Sequence, residues 1–311
     1  MSRIILYAMP VYLPIAEMSV SAGAVVLLGI VVGFFSGLFG IGGGALTTPL
    51  LIFFGIPPVV AVATQTCQII ASSTAGFISQ LQRRGIDFKI AGHMMTGGAI
   101  GAVIGLGIFQ LLRMLGQIDL AIKALYMVLL GGIGVSMIVE ITRSYLRRDA
   151  GGAPTENRVH RWLKTLPMQT EYPVSGITIS RYGPMGIGFV SGILLAILGT
   201  GAGFMVVPAM IYFLGMPALM VTGTSMLQLL VLTSLAAMMH ALTTHAIDLI
   251  LGALLIFGSV IGTILGLRST KYVHGRPARL LLAAIIVVVA IRMGFELVIP
   301  PHDPYTLSIG H

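Results

Sequence analysis

Ten apolar stretches run along the chain, five on each side of a polar stretch near its middle. They cover roughly residues 22–39, 45–55, 59–81, 88–112, 118–142, 184–198, 203–215, 218–242, 247–267 and 279–299. A helix needs about 20 apolar residues to cross the hydrocarbon core of a membrane. Most stretches approach that length, but 45–55 and 203–215 are too short and predict half-helices or re-entrant segments. The sequence leaves open whether these two cross the membrane or turn back.

Composition supports lipid as the solvent of this fold. Of the 311 residues, 56% are hydrophobic and 9% are charged, whereas a soluble domain carries about 25% charged residues. These values exclude a cytosolic enzyme, a secreted disulfide scaffold, a disordered chain and an ordinary nucleic-acid-binding protein. The single cysteine, Cys67, excludes an internal disulfide and a cysteine-only metal site. The predicted fold class is an all-α polytopic membrane protein.

The two halves of the chain resemble each other. Five matches occur in the same order, pairing Gly40–Pro49 with Gly199–Pro208, Gly55–Pro57 with Gly215–Pro217, Ala63–Gln68 with Gly223–Gln228, Ile86–Asp87 with Ile247–Asp248, and Gly97, Gly101 and Gly105 with Gly258, Gly262 and Gly266. We therefore predict a first transmembrane repeat over 1–147, a connecting loop over 148–182, a second repeat over 183–299 and a short tail over 300–311.

The positions of the basic residues predict the orientation. Fourteen of the 18 Lys and Arg residues follow the third apolar stretch, flank the central loop, or follow the ninth stretch. Cytoplasmic loops collect Lys and Arg, so all three regions are placed inside. The repeat partner of the first region, Thr243–His245, has no Lys or Arg and is placed outside. The two repeats are therefore predicted to be inverted, and the net charge of +8 indicates topology and contact with anionic lipid rather than a nucleic-acid partner.

Two glycine-rich breaks are candidate anion sites. Gly42, Gly43 and Gly44 precede one short stretch, and Gly201, Ala202 and Gly203 precede the other. A helix that begins inside the membrane presents free N–H groups and the positive end of its dipole, which together favour an anion. In inverted repeats two such ends meet near the midplane. Tight helix packing, with Gly chosen for its size, is the alternative interpretation.

Neutral polar side chains follow each break. Thr64, Gln65 and Gln68 in the first half match Thr224, Ser225 and Gln228 in the second, with spacing that places them on one helical face. Amide and hydroxyl donors suit the oxygens of an oxyanion. Hydrogen bonds between helices, worth about 0.6–2 kcal/mol each, are the alternative. The predicted substrate-binding residues are therefore Gly42, Gly43, Gly44, Thr64, Gln65, Gln68, Gly201, Ala202, Gly203, Thr224, Ser225 and Gln228.

The remaining features favour structural roles. Asp87 and Asp248 stand where a helix begins and are interpreted as N-caps. The glycine series at 97–105 and 258–266 allows helices to approach closely, either between the halves or between protomers of a homo-oligomer. The sequence shows no clustered ligands for a metal and no nucleophile–base pair. We therefore expect no metal, no cofactor and no catalytic residues.

The first break and the residues after it resemble the TauE/SafE sulfite exporter family. The similarity is carried by Gly33–Pro49, Gly55–Thr64 and Gln68, and it extends over roughly residues 20–298. The second half departs from the family pattern, with Ala202 in place of a glycine. Residues 188–199 are also predicted to carry about one helical turn more than their first-half equivalent, 33–40.

The resemblance implies export of a small sulfur-containing anion, such as sulfite or an organosulfonate like sulfoacetate, across the bacterial inner membrane. The predicted function is therefore a secondary transporter that works by alternating access. An importer or permease for a carboxylate or another small anion, and a passive anion channel, stay open as alternatives. The expected partners are the anion and membrane lipid.

Overall fold

The computed structural model describes residues 10–40, 44–146, 167–200, 203–269 and 276–298. Within these ranges the same order of elements occurs twice, a two-stranded hairpin followed by five helices. The first copy has β1 (Pro10–Leu13), β2 (Met18–Ser21), α1 (Ala22–Phe39), α2 (Gly44–Phe53), α3 (Pro58–Gln82), α4 (Phe88–Met114) and α5 (Ile118–Leu146). The second has β3 (Gln169–Tyr172), β4 (Ile177–Ser180), α6 (Tyr182–Leu198), α7 (Gly203–Tyr212), α8 (Ala218–Thr243), α9 (Leu249–Ser269) and α10 (Arg276–Val298). Five of these helices have the length and apolar composition to cross a membrane, which confirms the predicted fold class.

The two hairpins are the part of the fold that the apolar pattern does not predict. Both are antiparallel and pair four residues with four across a four-residue turn. The β3–β4 hairpin lies inside the segment 148–182 that was predicted to be a connecting loop. Each copy of the repeating unit therefore begins with a hairpin. The first strand of that hairpin starts about a dozen residues before the first helix of the copy.

The predicted extra helical turn in residues 188–199 is wrong. Both α1 and α6 end at a glycine in the left-handed conformation, Gly40 with φ 72° and Gly199 with φ 69°. Gly29 packs against the backbone at Leu255, and Gly188 packs against the backbone at Met94, which is the equivalent position in the other half. Gly188 therefore corresponds to Gly29 and not to Gly33, and the two helices have matching lengths.

The halves interlock because the first helix of each packs along the fourth helix of the other. Three glycines of α4 lie against backbone carbonyl oxygens of α6. A Cβ atom added to any of them would be too close to that oxygen, with the pairs being Gly97 and Met185, Gly101 and Phe189, and Gly105 and Ile193. Because the residue numbers of α4 and α6 increase in the same direction along this contact, the two helices run parallel. Backbones this close require glycine, so the predicted role of the glycine series in helix contact is confirmed between the halves.

Helices α1 and α9 repeat this arrangement. Positions 29, 33 and 37 of α1 meet the backbone of α9 at Leu255, Ser259 and Thr263 in turn. Further contacts join α5 to α10 and α3 to α8, again between the halves. Most of the packing therefore joins one half to the other, and neither half forms a separate domain.

The two short helices turn back toward the hairpin of their own half. Helix α1 leaves β2 directly, and after α2 the chain returns to that hairpin, where a Cβ on Gly55 would lie 3.4 Å from the Met18 Cε atom. In the second half, Leu214 and Met216 after α7 pack with Tyr172 and Ile179 of the β3–β4 hairpin. After each short helix the chain therefore lies at the end of the molecule from which the preceding helix departed.

The contacts of α3 and α8 show that these equivalent helices run antiparallel. Gly223, near the start of α8, packs against Gly85 just after α3, while Thr64 near the start of α3 contacts Asp248 just after α8. The exposed Arg83 and Arg84 after α3 therefore lie at the same end of the molecule as the start of α8. The β3–β4 hairpin joins this end, because the Lys89 ammonium donates a hydrogen bond to the Glu171 carbonyl oxygen at 2.9 Å.

Candidate functional site

The two helix breaks meet beside the middle of α3. A Cβ on Gly44, the first residue of α2, would lie 2.5 Å from the Ile69 Cδ1 atom and 2.9 Å from the Thr200 Cα atom. Ile69 is near the centre of the 25-residue helix α3, and Thr200 follows α6 in the other break. The start of α2 is therefore packed against the end of the opposite break. Of the predicted glycine-motif residues, Gly42, Gly43, Gly201 and Ala202 lie outside the described residues, while Gly44 and Gly203 begin the short helices.

The predicted site threonines connect one half to the other. The backbone N–H of Asp248 donates to the Thr64 hydroxyl oxygen at 3.0 Å, and the backbone N–H of Asp87 donates to the Thr224 hydroxyl oxygen at 3.0 Å. Both threonines are fully buried. They are thus already engaged by the protein, in the manner of a hydrogen bond between helices.

Asp87 and Asp248 cap the helices that follow them, which confirms the sequence interpretation. One Asp87 carboxylate oxygen accepts from the N–H groups of Lys89 and Ile90, both at 3.1 Å. The other oxygen accepts from the Ser175 hydroxyl at 2.6 Å, in the turn of the β3–β4 hairpin. Burial raises the pKa of the neighbouring Tyr172 hydroxyl, and the Asp87 carboxylate raises it further.

Asp248 repeats this geometry at the opposite end of the molecule. It accepts from the N–H groups of Ile250 and Leu251 at 3.1 Å, and its second oxygen accepts from the backbone N–H of Ile15 at 3.0 Å in the first hairpin. Each carboxylate therefore joins a helix start to the hairpin of the other half.

The next pair of predicted residues, Gln65 and Ser225, contacts the helix end before the opposite break. The Gln65 amide nitrogen donates to the Leu198 carbonyl oxygen at 3.0 Å. The Ser225 hydroxyl donates to the Gly40 carbonyl oxygen at 3.1 Å. These carbonyl groups end α1 and α6, where no further helical N–H can reach them. Gln65 and Ser225 thus complete the hydrogen bonding of the two helix ends.

Gln68 and Gln228 differ most among the predicted pairs. Gln228 donates from its amide nitrogen to the Ser191 hydroxyl oxygen at 2.8 Å. Gln68 is fully buried on α3, one residue before Ile69, and neither its amide nitrogen nor its amide oxygen has a hydrogen-bond partner. An unpaired buried polar group costs about 1–3 kcal/mol. A buried amide with no partner in the protein is a candidate donor to a bound ion.

Sequence reasoning missed two side chains that complete these contacts. The fully buried Tyr126 on α5 donates from its hydroxyl to the Leu198 carbonyl oxygen at 2.8 Å, beside Gln65. Ser191 on α6 accepts from Gln228 and donates to the Gly188 carbonyl oxygen at 2.7 Å. Neither stands in a motif, since Tyr126 stands between apolar residues of α5 and Ser191 matches Val32 in the other half. Among the described residues, no group of three His, Cys, Asp or Glu side chains lies close enough to hold a metal.

The arrangement provides a small buried region with neutral donors and no described cation. Gln68 offers two N–H groups, and the residue after it, Ile69, contacts Gly44 at the start of α2. Fixed dipoles of this kind favour negative charge, while a buried ammonium would carry a much larger desolvation cost. The chemistry suits a small oxyanion that must be bound and then released.

The chain is similar to proteins from bacteria and a plant. The family model described as sulfite exporter TauE/SafE matches residues 25–293. The probable membrane transporter protein YjnA of Bacillus subtilis (strain 168) is 30% identical over 277 residues, which is 89% of this chain and 100% of the relative. A probable membrane transporter protein of Xylella fastidiosa (strain 9a5c) is 27% identical over 276 residues, covering 86% of this chain and 94% of the relative.

A shorter match covers part of sulfite exporter TauE/SafE family protein 3 of Arabidopsis thaliana, 31% identical over 123 residues, or 37% of this chain and 26% of the relative. No solved structure matches. The family match spans most of the chain and includes both helix breaks and all ten apolar stretches in whole or part. The chain belongs to the sulfite exporter TauE/SafE family and is a multi-pass membrane transporter.

Proposed function

We propose that this protein is a secondary transporter that exports a small sulfur-containing anion, sulfite or an organosulfonate such as sulfoacetate, across the bacterial inner membrane. The observation that carries the proposal is the Gln68 amide, which is fully buried with both of its polar atoms unpaired, one residue before Ile69, which contacts Gly44 at the start of α2. A sulfite or sulfonate oxygen is an acceptor for its N–H groups. Such hydrogen bonds to a charged group are worth about 1.5–3 kcal/mol.

Alternating access is supported by the arrangement of the halves. The equivalent helices α3 and α8 run in opposite directions, as inverted repeats require. In inverted-repeat folds, movement of one helix bundle against another exposes a central site first to one side and then to the other. The contacts through Gln65 and Ser225, each between a long helix and a break of the other half, lie where such a movement must act.

Export is the direction that the membrane potential favours. An inside-negative potential drives an anion outward with about 2.3 kcal/mol per charge per 100 mV, so no separate coupling ion is required. The orientation proposed here places Arg83, Arg84 and the β3–β4 hairpin in the cytoplasm, in agreement with the bias of cytoplasmic loops toward Lys and Arg.

Counterflow in proteoliposomes tests this function. Vesicles loaded with unlabelled sulfite and diluted into labelled sulfite should accumulate the label transiently and saturably, and sulfoacetate should compete better than sulfate, thiosulfate or lactate. Gln68→Ala should lower this counterflow at least about tenfold at subsaturating sulfite, from the lost charged hydrogen bond. Gln82→Ala is the matched control, because Gln82 is exposed at the end of the same helix.

The other outcomes select different functions. Counterflow with lactate and without sulfite would replace the proposed substrate by a carboxylate. Anion flux without counterflow would show a channel. Wild-type counterflow in a correctly assembled Gln68→Ala variant would remove Gln68 from the binding site.

A further inference from the structure

We propose that the two halves bind the anion unequally: Gln68 of the first half is the main donor, and Ser191 holds the equivalent Gln228 away from the anion. This inference rests on the transport function proposed above and specifies which part of that site contacts the substrate. Ser191 then acts as a positioning residue, because it affects binding only through Gln228.

One N–H of the Gln228 amide is fixed by the hydrogen bonds around Ser191, while the Gln228 amide oxygen is buried without a partner. The Ser191 hydroxyl donates to the Gly188 carbonyl oxygen at 2.7 Å within α6, so its lone pair points outward as an acceptor. The Gln228 amide nitrogen donates to that oxygen at 2.8 Å. All three residues are buried, where competing water is scarce. The Gln228 amide is therefore held in one position against α6.

The equivalent position in the first half cannot hold Gln68 in this way. The matching glycine contacts of α1 and α6 make Val32 the counterpart of Ser191, one residue before Gly33 and Gly192. Valine has no acceptor in its side chain. The two glutamines thus have the same place in the repeat, but only one of them has a partner across the fold.

Other buried groups show the same difference between the halves. The Ser36 hydroxyl group and the Gln65 amide oxygen of the first half are buried with no hydrogen-bond partner, and the Thr48 hydroxyl is buried beside the Tyr126 hydroxyl. Alignment of the repeats places Leu195, Val207 and Ser225 at the corresponding positions of the second half. Two of these are apolar, and Ser225 is satisfied by the Gly40 carbonyl oxygen. Unused polar atoms around α1 and α3 therefore outnumber those at the equivalent positions, which indicates that the first half provides most of the polar lining.

The half-saturation concentration for sulfite, measured by counterflow in proteoliposomes, separates the two glutamines. Gln68→Ala should raise it about tenfold or more, because a hydrogen bond to a charged ligand is lost. Gln228→Ala should raise it less than about threefold, since that amide is already bound to Ser191. Equal effects of the two substitutions in assembled protein would overturn the inference.

Val32→Ser places the missing acceptor beside α3 and tests the cause of the difference. We expect it to capture the Gln68 amide and to raise the half-saturation concentration about tenfold, whereas Val32→Ala, which removes the same bulk without adding a hydroxyl, should change it less than about twofold. Identical behaviour of the two variants would overturn the proposed mechanism.

Ser191→Val should release the Gln228 amide and lower the half-saturation concentration about threefold, and Ser191→Thr, which keeps the hydroxyl, should not. In a Gln228→Ala background Ser191→Val should have no further effect, because its action passes through that amide. An equal effect in both backgrounds would show a merely structural role for Ser191. If wild-type protein shows no anion counterflow at all, the transport function itself fails, and this result is distinct from failure of the unequal half-sites.

Discussion

The ends and the middle of this transporter differ in how closely the two halves match. At the ends, Asp87 and Asp248 make equivalent contacts: each caps a helix, donates its backbone N–H to a threonine hydroxyl of the other half, and accepts a hydrogen bond from a hairpin turn of the other half. In the middle, equivalent positions have diverged, since Gln228 is bound to Ser191 while Gln68 has no partner.

This difference separates the contacts that hold the halves together, which we call the framework, from the residues proposed to bind the anion. A contact that holds the halves together has the same requirement at both ends, so both copies keep the same residue types. A small anion presents no such twofold requirement, and one half can provide the donors while the other provides packing. In a duplicated fold, contacts that are equivalent in both halves are explained by the need to hold the halves together. Contacts that differ between the halves are better explained by the binding of a single ligand.

The largest effect is expected from filling the contact between α4 and α6. Gly101→Ala would place a Cβ against the Phe189 carbonyl oxygen, and overpacking against backbone should destabilise the protein by about 3 kcal/mol. Gly107→Ala, in the same helix, meets nothing within 4 Å and should be neutral or favour the helix by up to about 1 kcal/mol. Thermal unfolding in detergent, followed by size-exclusion fluorescence, measures both. Equal melting temperatures for these two variants would contradict the close approach of the halves.

A smaller and symmetrical effect is expected at the capping carboxylates. Asp87→Ala and Asp248→Ala should each lower the free energy of unfolding by about 2 kcal/mol, because a helix cap and a hydrogen bond to a hairpin turn are lost together. Asp119→Ala, which removes an exposed carboxylate from the first turn of α5, should change it by less than about 0.5 kcal/mol. A clear difference between Asp87→Ala and Asp248→Ala would show that the ends are not equivalent, and the separation between framework and site would be lost.

Features with a strong local cause were accessible from the sequence. The duplicated order of apolar stretches, the short helices after the glycine-rich breaks and the caps at Asp87 and Asp248 all follow from spacing and residue type. The hairpins were not accessible, because strands of four residues carry too little alternation to distinguish them from a loop. Alignment of glycines alone also misplaced Gly188 by one helical turn, since several glycines of α1 and α6 recur every fourth residue.

The pairing of helices was beyond reach for a different reason. An apolar helix face in a membrane does not specify its neighbour, so the packing of α1 on α9 and of α4 on α6 is decided only by the assembled glycine contacts. The same limit hid Tyr126 and Ser191, whose hydroxyl groups become informative only when the Leu198 carbonyl oxygen and the Gln228 amide lie beside them. The six polar residues at 64–68 and 224–228 were found as a group, but their individual roles depend on contacts from the other half.

The smallest effect, with opposite signs in the two halves, is expected from replacing the central glutamines by leucine. Gln68→Leu removes a buried amide that has no partner, so it should raise the free energy of unfolding by about 1 kcal/mol in the absence of anion. Gln228→Leu breaks the bond to Ser191 and should lower it by about 1 kcal/mol. Gln82→Leu, at an exposed position at the end of α3, is the control and should stay within about 0.5 kcal/mol of wild type.

Sulfite should then reverse the order of stability for the Gln68 variant. A ligand at one hundred times its dissociation constant stabilises the native state by about 2.7 kcal/mol, and wild-type protein and Gln228→Leu should gain most of this, whereas Gln68→Leu should gain little. A residue kept for packing would lose stability when replaced and would not alter the response to the anion. A Gln68→Leu variant that is more stable without anion and no longer responds to sulfite would show that Gln68 costs stability and serves binding. A Gln68→Leu variant that is less stable and still responds fully to sulfite would show that Gln68 serves packing between the helices.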